Sequence, residues 1–207
     1  MTYHHKHVSN STRKKFFSYD ARLDRQLWKS IKRGDSEALT TLFKRYYVLL
    51  YEYAIKLAHR KDWAEDSVQE IFVHIWQKRE SLVFEESIKS YLFAAVRNHV
   101  LNEIGREKRH TAKRQELCDF LPTNAFSPEE MILFQETTER KELIIEWALK
   151  EISPRQRETL YLKVFSELSY KEIAPIMQIS PQTARNYVSE AYKQLYEILS
   201  TTDVRDL

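Results

Sequence analysis

Gln182, Arg185, Asn186, Ser189 and Lys193 follow one another at steps of three, one, three and four, so on a helix they share one face. Their types fit the edges of a DNA duplex. Arginine grips guanine through two hydrogen bonds, asparagine and glutamine do the same for adenine, and lysine suits a phosphate. An ordinary surface helix is also polar outside, but it carries acids as freely as bases. Here Glu190 is the only carboxylate between Ser180 and Gln194. The opposite face holds Ala184, Tyr187, Val188, Ala191 and Leu195, an apolar stripe that a core must cover.

Such a face can be presented only if the chain before it stops and turns. Ser169 stands three residues before Glu172, the capping-box spacing, and starts a helix at Tyr170 with Ile173, Ala174 and Met177 inward. Gln178, Ile179 and Ser180 break that helix. Ser180 then caps the next one, and Pro181 suits its first position, where an N–H would lack a partner anyway. Helix, short turn and helix is the geometry in which the second helix enters the major groove by its N-terminal residues. Two residues fit it imperfectly. Pro175 removes a hydrogen bond inside the first helix and predicts a kink. Gln178 occupies a turn where glycine or asparagine takes a left-handed backbone more easily.

A second set of residues lies upstream, sorted by charge. Between Asp62 and Glu86 there are seven acids against Lys78 and Arg79, a net −5. Between Arg97 and Gln115 there are six bases against Glu103 and Glu107, a net +4. The first stretch should attract a basic partner and the second a polyanion. Asp66, Gln69, Glu70, Val73 and Gln77 share the outer face of a helix predicted over 64–77, whose core stripe is Val68, Ile71, Phe72, Ile75 and Trp76. Val73 among acids and amides marks that outer face as a docking surface. Arg97, Asn98 and Asn102 run into the basic stretch, with Phe84, Tyr91 and Phe93 close in sequence. Rings beside cations suit single-stranded nucleic acid, whose unpaired bases stack. Tyr91 reads as core, while Phe84 and Phe93 fit core and stacking equally.

The elements that carry these faces are helices throughout. Asp35 can cap a helix with Leu39, Leu42, Phe43, Tyr46, Tyr47 and Leu50 inward, and Ser87 begins another with Tyr91, Leu92, Ala95, Val96 and Val100 inward. Gly105 falls where that last helix ends or weakens. Residues 1–24 read as a mobile basic arm, 25–112 as one helical module, 113–138 as a flexible linker broken by Pro122, Asn124, Ser127 and Pro128, 139–200 as a second module, and 201–207 as a tail. The fold class is all-α, two small helical domains on a tether.

Composition closes off other chemistry. The chain has 207 residues, 43% of them hydrophobic, so it can bury a core. Only Gly34 and Gly105 are present, which removes Gly-rich phosphate cradles; a single cysteine, Cys118, removes internal disulfides and multi-cysteine zinc sites. His4, His5 and His7 form a terminal cluster without carboxylates, and His59, His74, His99 and His110 are scattered without a motif. No metal, no cofactor and no catalytic set is expected, so the chain does not read as an enzyme. No apolar stretch approaches the ~20 residues of a membrane span, and the N-terminus lacks a signal peptide's apolar core, which points to a cytoplasmic protein without membrane insertion.

Taken together, the chain resembles a bacterial RNA polymerase sigma factor of the sigma-70 family, in its extracytoplasmic-function (ECF) group. The resemblance covers about residues 25–200. It rests on Ala64-Glu65-Asp66-Ser67-Val68-Gln69-Glu70-Ile71-Phe72 and on Tyr91-Leu92-Phe93-Ala94-Ala95-Val96-Arg97-Asn98. It rests also on Pro154-Arg155-Gln156-Arg157, then Tyr170-Lys171-Glu172-Ile173-Ala174 and Ile179-Ser180-Pro181-Gln182-Thr183, in that order and spacing. The departures are Ala184 for a frequent valine, Tyr91 for a common tryptophan, and Pro175 in a helix that is usually continuous.

The resemblance implies sigma regions 2 and 4 and their partners, core RNA polymerase and promoter DNA. Asp66, Gln69, Glu70 and Val73 would dock on the clamp helices of the polymerase's largest subunit. Phe84, Arg97, Asn98, Asn102, Arg106, Lys108 and Arg109, with the loop 80–89, would capture the melted −10 element. Gln182, Thr183, Arg185, Asn186, Ser189 and Lys193 would read the −35 element as duplex. An anti-sigma factor covering both modules is a further expected partner. The alternative is a stand-alone helix-turn-helix regulator that binds duplex without polymerase; it leaves the acidic helix and the single-strand patch without a use.

Overall fold

The computed structural model describes residues 20–83, 87–112 and 148–201, and every regular element among them is a helix. Asp20 opens α1 (Ala21–Lys32) by accepting from the backbone N–H groups of Arg22 and Leu23. The fold therefore begins inside the arm expected over 1–24. Asp24, on α1, is buried: the Tyr46 hydroxyl donates to it, and Arg45 Nε lies 3.0 Å away. Burial pushes its pKa up, against the pull of Tyr46 and Arg45 in the other direction. An acid in a sequence reads as solvated, and only the partners 22 residues on make it a core residue.

Gly34, at φ +90°, turns the chain into α2 (Ser36–Ala58), whose cap is Asp35, as its spacing predicts. After His59 in the left-handed region comes α3 (Lys61–Lys78). The fourth helix, α4 (Ile88–Ala112), starts at Ser87, whose hydroxyl oxygen accepts from the N–H of Ser90 at 3.0 Å. Gly105 does not end it. One interior glycine costs about 1 kcal/mol against alanine, which a 25-residue helix lying on a core absorbs. Leu42, Leu50 and Tyr53 of α2, Val68 and Ile75 of α3, and Leu92, Val96 and Val100 of α4 make that core.

The C-terminal module starts with helical residues 148–151. Ser153 and Gln156 form a capping box around Pro154 at the head of α5 (Pro154–Val164). The box of Ser169 and Glu172 opens α6 (Tyr170–Met177) as the sequence predicts, and α7 (Pro181–Thr201) follows three residues later. Ile173, Ala174 and Met177 point inward against Ala184, Val188 and Ala191 of α7. Pro175 stays within α6 on its exposed side, as does Lys171, whose carbonyl loses its i+4 donor to the proline. Water can reach both.

The linker expected over 113–138 lies outside the described residues. The modules on either side of it pack against each other, with α6 against α4 and α5 against α2, so that one apolar cluster runs through both.

Candidate nucleic-acid interface

The turn before α7 is built by its own backbone. Gln178 takes the left-handed conformation (φ 54°, ψ 49°), and its N–H bonds back to the Ala174 carbonyl. Ser180 Oγ then accepts from the N–H of Thr183 at 2.9 Å, closing the first turn of α7. The consequence is a helix with its apolar stripe inside and its first turn in solvent.

On that outer face Gln182, Arg185, Asn186, Ser189 and Lys193 are all exposed, and Thr183 is half-buried at the cap. Gln182 Nε2 donates to Asn186 Oδ1 at 2.9 Å, an i,i+4 pair that fixes both amides relative to each other. The Arg185 guanidinium lies 5.5 Å from the centre of the Tyr170 ring, contributed by α6. Glu190 is engaged by Gln156 Nε2 at 3.1 Å. The face thus offers two amides and two cations, with its one carboxylate tied to a neighbour.

On α3, Asp66, Gln69, Glu70, Val73 and Gln77 are exposed together, while Ala64, Val68, Ile71, Phe72 and Ile75 are buried. Asp66 and Glu70 form no ion pair among the described residues. Val73 is 48% exposed, an apolar side chain at the centre of an acidic face.

The basic patch divides. Asn98, Asn102, Arg106 and Arg109 are exposed on α4, Arg106 paired only with Glu103 one turn back. Asn98 is therefore not a core residue bonded to backbone. Phe93 is fully buried against Tyr53, with ring centres 5.1 Å apart, so it belongs to the core and stacks no base. Phe84 and the Lys108 side chain lie outside the described residues. Lys89, placed by the sequence in a loop over 80–89, is the second residue of α4 and is buried. Its ammonium donates to the Ser166 carbonyl, and burial holds its pKa below the usual lysine range.

Arg97 is the largest departure. Its side chain is 11% exposed, and Nε and Nη2 meet the two oxygens of Glu158, on α5, at 2.8 and 3.3 Å. The Tyr53 hydroxyl donates to the same carboxylate at 2.6 Å. Burial works against the guanidinium's charge, but Glu158 outweighs it and raises the pKa above the arginine norm. Tyr53 is pushed well above the ordinary tyrosine value, first by burial and then by Glu158. Glu172 completes the seam, accepting from Ser87 Oγ at 2.7 Å through its carboxylate and from Ser90 Oγ at 2.8 Å through its carbonyl. Burial raises its pKa, yet the Ser169 N–H and the hydroxyls of Ser87 and Ser169 bring it below the usual glutamate value. None of Glu158, Tyr53, Ser166 and Glu172 was legible as part of a contact between modules, because the partners lie 61 to 105 residues apart.

Two family models match the chain: Sigma-70 region 2 over residues 42–110, and Sigma-70, region 4 over residues 143–195. The RNA polymerase sigma-H factor of Pseudomonas aeruginosa is 23% identical over 184 residues, 85% of this chain and 93% of that protein. The ECF RNA polymerase sigma factor SigM of Bacillus subtilis is 26% identical over 155 residues, 74% of this chain and 90% of the relative. Among solved structures, the sigma factor RpoE of Bartonella quintana, crystallised with the anti-sigma factor NepR, has the same fold, with a TM-score of 0.56 at 24% identity over 79% of this chain and 98% of that one. No described helix is long and apolar enough to cross a membrane.

Proposed function

Because this chain belongs to the sigma-70 family, in its ECF group, and acts as a sigma factor that directs core RNA polymerase to promoters, we propose a division of that work among its three exposed faces. The outer face of α7, from Gln182 and Thr183 through Arg185, Asn186 and Ser189 to Lys193, reads the −35 element in the major groove. Asn98, Asn102, Arg106 and Arg109 of α4, with Arg97, Lys108 and Phe84, capture the −10 element once its strands part. Asp66, Gln69, Glu70 and Val73 of α3 dock on the clamp helices of the polymerase's largest subunit. The chain works by binding alone, in the cytoplasm, and leaves bond-making to the polymerase. An anti-sigma factor fits the same reading, since the Bartonella quintana relative was crystallised with one.

The observation that carries this reading is the α3 face: four side chains exposed together behind a fully buried apolar stripe. A regulator that binds duplex alone has no use for it. Changing Asp66 and Glu70 together to Lys should therefore abolish polymerase binding while helicity and melting stay as they are. Loss of one partner in an interfacial charge pair costs about 2–5 kcal/mol, some 30-fold to several thousand-fold in affinity. Unchanged affinity of the double variant for core polymerase would remove the docking role.

A further inference from the structure

The face of the N-terminal module that would hold a melted strand is, in this structure, covered by the chain's own C-terminal module. Arg97 meets Glu158 and Tyr53 in a buried ion pair. Tyr161 of α5 stacks on Tyr53 with ring centres 6.1 Å apart, and the Lys56 ammonium lies 5.5 Å from the same Tyr161 ring. Further along α4, Lys89 donates to Ser166, while Ser87 and Ser90 donate to Glu172. These contacts use two cations, a ring and two hydroxyls of the N-terminal module. They are the groups a polyanion with stacked bases would want, and here a carboxylate and a tyrosine occupy them.

The closed arrangement cannot read both promoter elements. The −10 and −35 positions lie about 25 base pairs apart, which at 3.4 Å per step is roughly 85 Å along B-DNA. From Asn98 back to Ser90 is about 12 Å of helix, Ser90 touches Glu172, and the chain from Glu172 through α6 and the turn to Arg185 adds about 25 Å. The two reading faces thus stand within about 45 Å of each other. The chain from 113 to 147 is long enough, at up to about 3.4 Å per residue, to let the modules separate by the remainder.

We propose that the free protein rests in this closed form, latched by the Arg97–Glu158 ion pair, and that Arg97 exchanges the Glu158 carboxylate for nucleic acid when the modules part on polymerase. This rests on the placing of the −10 site on α4, and the test separates the two ideas. Glu158→Gln keeps the shape and the acceptor for Tyr53 but takes the carboxylate away from Arg97. The full-length chain, without polymerase, is measured by small-angle X-ray scattering and by binding to a random-sequence single-stranded DNA 20-mer. Exposed Glu151→Gln serves as the control that removes the same charge away from the seam.

The latch predicts a larger radius of gyration for Glu158→Gln than for wild type or the control, and at least tenfold tighter binding of the 20-mer, because the basic face is uncovered. Unchanged scattering from Glu158→Gln overturns the latch. Expansion with unchanged 20-mer affinity leaves the latch standing and overturns the nucleic-acid role of the face beneath it. A charge-swapped chain, Arg97→Glu with Glu158→Arg, guards against a variant that merely misfolds. It should recover wild-type compactness, and an expanded swap refutes an ionic latch.

Discussion

The chain contains the dipeptide Arg-Asn twice on helices of similar length, Arg97-Asn98 on α4 and Arg185-Asn186 on α7, and the fold uses the two differently. Asn98 and both residues of the second pair are exposed. Arg97 is not: its guanidinium is spent on Glu158 of the other module. Arg185 instead rests over the Tyr170 ring of the neighbouring helix, its edge toward solvent. One dipeptide is a pair of reading groups held ready. The other is split between a reading group and a seam between modules. The lesson is about what helical spacing encodes. It separates inside from outside within one helix, but "outside" can be solvent or a second module.

The difference is sharpest in stability. Arg97→Ala leaves the buried Glu158 carboxylate without its guanidinium, a change that costs about 3–5 kcal/mol where it occurs. The loss should fall on the closed form and appear as a lower melting temperature. Arg185→Ala touches no buried charge and should stay within about 0.5 kcal/mol in stability. It should instead relax base preference in the −35 element by about 1–3 kcal/mol. Melting curves and promoter-library sequence logos on the two variants decide the matter. Equal melting for both, or an unchanged logo for Arg185→Ala, would erase the contrast.

A smaller effect follows from Glu172, which closes the seam from α6. Its pKa is depressed in the fold, so its contribution is fully present above the unfolded value, near 4.3, and is lost as pH falls through the lower folded value. Glu172→Gln should accordingly cost about 1 kcal/mol at pH 7, in line with loss of a capping partner. That cost should shrink toward zero as the pH approaches 3. Denaturant melts at pH 7, 5 and 3 measure it. A difference that persists at pH 3 would assign the effect to shape rather than to charge.

The helix-turn-helix was legible because everything that specifies it is local. Two caps, a break and two apolar stripes fall within 28 residues, and each stripe came out inward in the structure. The α3 face was legible for the same reason. What was hidden is what depends on distant partners. Asp24 is buried because Tyr46 and Arg45 wait for it, and Lys89 because Ser166 does. The run from Gln156 to Leu162 is buried on every side, with four polar residues in a row, because α7 covers one flank and α2 and α4 the other. No periodicity announces a helix that is covered all round and carries its own polar bonds.

The slightest expected effect concerns the turn that aims the reading helix. Gln178 holds φ 54° and ψ 49°, where a Cβ crowds the following carbonyl, and its side chain is exposed. Glycine takes that conformation without the clash but has more backbone freedom to lose on folding. The first term exceeds the second, so Gln178→Gly should stabilise the C-terminal module by about 0.5–1 kcal/mol. A shift of the denaturant midpoint upward, with the slope unchanged, would show it. The −35 logo should be untouched, because the caps at Ser169 and Ser180, not the residue between them, start each helix and so set how α7 is presented. If the variant gains stability while its logo blurs, the strained residue is itself what holds α7 at its reading angle. If it loses stability, the Gln178 side chain makes a contact that outweighs the left-handed strain.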